Sequence, residues 1–244
     1  MSPRVLVVIP ARAGSKRIPN KNLRDFCGKP LVAHAVQQAK QLDFVDRVIV
    51  DTDSEQIAEI ARSFGAEVPF LRPTELAQDT SQIIDSLRHL LTQLKASEGY
   101  EPTHLLLLQT TSPLREIEDI EACWTLMQES DATTVLTVCP THPRLYHLND
   151  EKDLVLGNSA VVSSTNVQDW KPGYVLNGCF AYVVQIEALL AENSVITQKT
   201  KAVVCPAWRS VDLDTPEDWV LAELLFTHRH EIEQALTNWK KNTV

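Results

Sequence analysis

Glycine is scarce in this chain, with seven residues in 244. Gly14, in the loop after the first apolar run, has no glycine partner at the spacing of a Walker A loop or of a dinucleotide fingerprint, so both of those nucleotide-binding devices are excluded. Cysteine is also sparse: Cys27, Cys123, Cys139, Cys179 and Cys205 are scattered, with no CxxC and no metal-ligand spacing. That argues against a zinc site or a disulfide framework, and for reduced core thiols in a cytoplasmic protein. No apolar stretch approaches the roughly 18 residues of a membrane span, and the short amino-terminal run has neither a cationic lead nor a cleavage site. Basic charge is in short supply overall. A net charge of -9 and a pI near 5.3 argue against nucleic acid or an anionic membrane as partner. The seven histidines show no metal or triad spacing.

What is present is concentrated at the start. All six charged residues before Asp25 are basic, four of them (Arg12, Lys16, Arg17 and Lys21) in the loop that follows the β-branched run Val5 to Ile9. Such a run reads as a strand buried on both faces of a parallel sheet, and ligands of open α/β sheets bind beyond the carboxyl ends of strands. The loop therefore sits where a polyphosphate is expected. Gly14 and Ser15 let backbone N–H groups approach phosphate oxygens, and Lys16, Arg17 and Lys21 offer charge. An acidic protein with a local basic mouth suits a small polyanion.

Strand-like and amphipathic segments alternate along most of the chain. The spacing predicts helices behind Pro30, from Asp53 as N-cap to Gly65, over 83–94 and 117–127, and a long carboxy-terminal helix from Pro216. Strands are predicted at Arg47 to Val50, His104 to Leu108, Thr133 to Cys139, Cys179 to Val184 and Ala202 to Cys205. This pattern implies one α/β domain over 1–244, Rossmann-like and three-layered, with a mostly parallel sheet. From about 140 to 175 the alternation fails, which reads as an arm or β-insertion.

Two carboxylate pairs share one spacing. In an extended VDLDT, Asp212 and Asp214 point to one face, a costly arrangement unless a cation neutralises them; magnesium takes one or two carboxylates plus substrate phosphates. On the residues alone, capping of the helix that follows is an equal reading. Asp51 and Asp53 read as structural.

Several motifs carry a resemblance. PARAGSKRIPNKN at 10–22, DTDSEQIAEIA at 51–61, LLLQTTSPLR at 106–115, the Asn177-Gly178 pair and SVDLDTPEDW at 210–219 fall in the order found in the CMP-sialic acid synthetases, the cytidylyltransferases that activate nonulosonic acids. The resemblance spans nearly the whole chain. It implies a nucleotidyltransferase that couples CTP to a nine-carbon keto sugar acid, releasing pyrophosphate, with Mg2+ as cofactor. Asp212 and Asp214 match the metal-binding pair, and Arg12 and Lys21 match cations that neutralise the leaving pyrophosphate. Ala13, Gly14, Ser15 and Lys16 complete the nucleotide loop. Asn22 and Arg72 match positions that contact cytosine; for Arg72 the alternative is a surface ion pair with Glu67 or Glu75. Gln109 and Asn177 match the acceptor pocket, and Arg144 and Lys171 are candidates for the sugar carboxylate. The 140–175 segment would build a homodimer. The resemblance puts N-acetylneuraminate first as acceptor, with legionaminic and pseudaminic acids next. CMP-Kdo synthesis, or a nucleotide-binding protein without turnover, are the competing readings.

Overall fold

The computed structural model describes residues 3–148, 150, 152–156, 171–178 and 180–242. Strand β1 (Val5–Pro10) pairs in parallel with β4 (Arg47–Asp51) on one side and β5 (His104–Leu107) on the other. Beyond β5 lie β10 (Tyr182–Gln185), β6 (Thr134–Thr141) and β11 (Thr200–Val204), giving the order β11-β6-β10-β5-β1-β4. Only β10 and β9 (Gly173–Leu176) run against the rest, among the described residues. The expected mostly parallel sheet is therefore present.

Alternate residues of β1 feed opposite cores, which is why the run has no polar position. Val5, Val7 and Ile9 pack with α1 (Leu31–Ala39), α2 (Glu55–Ser63) and α4 (Ile117–Gln128). Leu6 and Val8 face α3 (Ile83–Glu98) and α5 (Ile186–Glu192), completing three layers. A third, smaller cluster bears on the site. Ile18, Phe26, Leu213 and Trp219 pack together there, with Phe26 carried by the hairpin β2 (Asp25–Phe26) and β3 (Lys29–Pro30). It ties the first loop to the start of α6 (Pro216–Thr227).

Three local expectations change. The cap of α2 is Ser54, whose side chain accepts from Ile57 N–H, because Asp53 is engaged elsewhere. Residues 210–214 form no strand: Asp214 N–H donates to Asp212 O at 2.9 Å, a tight turn in place of an extended pair. The carboxy-terminal helix breaks at His228 (φ -102, ψ 16) into α6 and α7 (Arg229–Lys241).

Within the segment expected to form an arm, β7 (Tyr146–Leu148) pairs antiparallel with β8 (Leu154–Leu156), apart from the main sheet. Residues 157–170 of that expectation lie outside the described residues. Cys27, Cys123, Cys139 and Cys205 are free thiols, and no described helix is long and apolar enough to cross a membrane.

Candidate active site

The loops after β1, β4 and β5 converge on a cavity of about 540 Å3, within the range of small-molecule sites. Arg12, Ser15, Lys16, Lys21 and Asn22 line one wall; Arg72, Gln109 and Asp214 line others. Ala13 and Gly14 face a neighbouring, more open cavity of about 310 Å3. Ser15 N–H donates to Ala13 O at 2.9 Å, so that amide is spent inside the loop.

The loop is held by groups far away in sequence. Asp53 Oδ1 accepts from Ala13 N–H at 2.8 Å. Asn22 is buried, its amide donating to Arg12 O (2.9 Å) and accepting from Thr110 Oγ1 (2.7 Å). Both ends of that amide are engaged, so Asn22 holds the first loop against the loop after β5. Lys21 Nζ donates to Leu213 O at 2.7 Å, the carbonyl between the two late aspartates. Burial lowers the Lys21 pKa, while Asp214 and Asp212 oppose that shift and favour its charge. Arg12 Nη1 lies 2.7 Å from Asp79, which also pairs with Lys16, and Arg17 lies 3.0 Å from Asp214.

Arg72 differs from both sequence alternatives for its ion pair. It is 7% exposed and bonds Asp51 Oδ2 at 2.7 Å and Asp51 O at 2.9 Å; Glu67 instead pairs with Arg47. Its Nε is buried with no hydrogen-bond partner among the described residues, as is Ser86 Oγ, and both residues line the cavity.

Asp212 lies where β9 and β10 are interrupted by Asn177 and Gly178. Asn177 is buried, accepting from Thr137 Oγ1 (2.9 Å) and donating to Ser210 Oγ (3.1 Å), so it braces this junction and does not line the cavity. Gly178 has φ +69, and a Cβ there would come 2.9 Å from Asp212 Cγ. Both backbone and space require glycine. Burial raises the Asp212 pKa first; the Thr111 hydroxyl opposes it most, Asp214 adds to the rise and Lys21 opposes it. Asp212 Oδ1 is buried with no hydrogen-bond partner among the described residues. Two adjacent carboxylates, one with an orphaned buried oxygen, fit a divalent cation that also takes oxygens from phosphate. The protein alone supplies no group of three or more such ligands among the described residues.

Arg144 and Lys171 do not line the cavity. Arg115 went unrecognised in the sequence: it is 2% exposed and donates to Gln109 O at 2.8 Å and to Phe180 O, tying the loop after β5 to the start of β10. Its place at the end of LLLQTTSPLR was the available signal. Asp79 gave none, since nothing local marks it as a partner of Arg12.

A basic cavity at the carboxyl ends of parallel strands, with Asp214 in its wall, fits a nucleotidyltransferase-type α/β protein. A cytidylyltransferase family model matches residues 6–169. The chain belongs to the cytidylyltransferase family, and is an enzyme of that kind. It is 35% identical to a CMP-N,N'-diacetyllegionaminic acid synthase of Legionella pneumophila, over 93% of this chain and 98% of that one. It is 30% identical to an N-acylneuraminate cytidylyltransferase of Streptococcus agalactiae, over 91% of this chain and 54% of the relative. The fold matches a CMP:2-keto-3-deoxy-manno-octonic acid synthetase complexed with CTP, with TM-score 0.67 and 20% identity, over 93% and 99% of the two chains.

Proposed function

We propose that this chain couples CTP to a nonulosonic acid, giving CMP-sugar and pyrophosphate, with N,N'-diacetyllegionaminic acid as first acceptor and N-acetylneuraminate next. The observation that carries the reading is the cation-lined cavity with Asp214 in its wall, next to Asp212, whose buried Oδ1 is unpartnered among the described residues. The acceptor order departs from the sequence expectation on the strength of the full-length 35% relative.

In this reading the sugar's anomeric oxygen bonds the α-phosphorus as the bond to the bridging oxygen breaks and pyrophosphate leaves. Such transfers need alignment and charge stabilisation more than covalent help. Arg12, Lys16 and Lys21 hold the phosphates, and the Leu213 carbonyl aims Lys21 at the site. Arg72, fixed by Asp51, presents a buried donor towards the base, and Gln109 faces the acceptor. Asp212 and Asp214 would hold a divalent ion such as magnesium, which would supply neutralising charge for the phosphates.

One domain with a dimer-building arm around 140–175 belongs to the same proposal. Leu145, Leu148, Tyr174 and Leu176, all exposed in or beside that segment, support it, since exposed apolar surface marks interaction sites. The free thiols support a cytoplasmic setting. The decisive experiment is pyrophosphate release with CTP and magnesium across a panel of nine-carbon keto acids. Turnover with the legionaminic-type acid is expected; turnover with Kdo alone, or equal use of UTP, overturns the reading.

A further inference from the structure

Arg12 and Lys16 face the cavity with a carboxylate already between them. Asp79 Oδ1 lies 2.7 Å from Arg12 Nη1, and its Oδ2 pairs with Lys16 Nζ. Those cations hold the Asp79 carboxyl below the usual carboxylate range, Lys16 most and Arg12 next. The segment bearing Asp79 is braced internally: Ser81 Oγ accepts from Gln78 N–H at 3.1 Å and donates to Glu75 O at 2.9 Å. It leans on the first loop through Arg12, which also reaches Ala77 O at 3.4 Å. Leu76, Gln78, Asp79 and Ser81 form cavity wall, so this turn is part of the enclosure.

A phosphate at Arg12 and Lys16 would meet the Asp79 carboxylate at the same donors. Two anions cannot share those donors without repulsion, and two cations without an anion repel each other. We propose that Asp79 is a positioning residue that competes with phosphate for Arg12 and Lys16, yields them to an incoming triphosphate, and recaptures them as pyrophosphate leaves. The inference rests on the assignment of the cavity to a nucleoside triphosphate. It makes Asp79 a brake on phosphate affinity and an aid to product release.

The test is titration calorimetry with inorganic pyrophosphate at low salt, on the wild-type chain, Asp79→Asn, Asp79→Glu and Arg12→Ala with and without Asp79→Asn. Exposed ion pairs are weak, so the expected change is about fivefold. Asp79→Asn binds pyrophosphate about that much tighter and shows a lower KM for CTP, Asp79→Glu stays near wild type, and the gain shrinks when Arg12 is absent. Unchanged or weaker binding by Asp79→Asn, or an equal gain in Asp79→Glu, overturns the proposal. If the wild-type chain releases no pyrophosphate from CTP, the functional reading fails, while the titration still decides the role of Asp79.

Discussion

Two aspartate pairs with the same spacing meet opposite fates in this molecule. At the end of β4, Asp51 is buried against Arg72 and Asp53 accepts from Ala13 N–H, so that pair is consumed by the protein. Before α6, Asp212 keeps a buried oxygen with no partner among the described residues, and Asp214 is half exposed beside Arg17. Spacing is common to both, and each holds a buried carboxylate oxygen without a directed hydrogen bond, whereas the Arg72 cation 2.7 Å from Asp51 separates them. A buried carboxylate whose charge its own chain neutralises builds structure, and one without such a cation is ready for a ligand that brings one.

The sharpest way to break this contrast is to neutralise one member of each pair. Asp212→Asn should lower kcat a hundredfold or more, roughly 3 kcal/mol of transition-state stabilisation, because a metal ligand is lost. Its melting temperature should hold or rise, since burial penalises the charge that is removed. Near-normal turnover would return Asp212 to a structural role. Asp51→Asn leaves Arg72 charged and buried, a loss of about 3 kcal/mol of folding stability, read by urea titration. If it melts like wild type and only catalysis suffers, the two pairs are not opposites.

Smaller effects sharpen the boundary. Gly178→Ala places a methyl against the Asp212 carboxylate in a left-handed backbone conformation, which costs about 1–3 kcal/mol of strain. The magnesium concentration for half-maximal rate should rise more steeply than the KM for CTP; equal rises would place the damage in the fold at large. Asp53→Ala removes one hydrogen bond to the first loop, worth about 1 kcal/mol. Its expected signature is a modest rise in the KM for CTP at nearly constant kcat, and loss of kcat without a change in KM would contradict it.

The layered sheet was legible because buried strands and helix faces write their periods directly into the residue order. The basic mouth was legible because six like charges precede the first acid. What escaped was tertiary in origin. Asp53 looked like a helix cap until its partner proved to be Ala13, and Ser54 took the cap. Arg72 was offered two nearby acids and chose Asp51, which the sheet brings to its side. The turn at Asp212 to Asp214 overrode the extended reading of VDLDT, because Leu213 is fixed through Thr111 O at 2.8 Å. Arg144 and Lys171, proposed from charge alone, had no geometry to hold them to the cavity.

The bond from Lys21 to Leu213 O joins residues 192 apart. Closing so long a loop costs entropy that only late, cooperative contacts repay, so this corner of the site is set at the end of folding and not at its start. On the ribosome the cations of the first loop emerge early, yet the carbonyl that orients Lys21 arrives after the rest of the sheet has been made. A nascent chain therefore holds this basic loop for most of its synthesis without the carbonyl that orients Lys21. The orientation of Lys21 is thus completed only once the segment bearing Leu213 has joined the first loop.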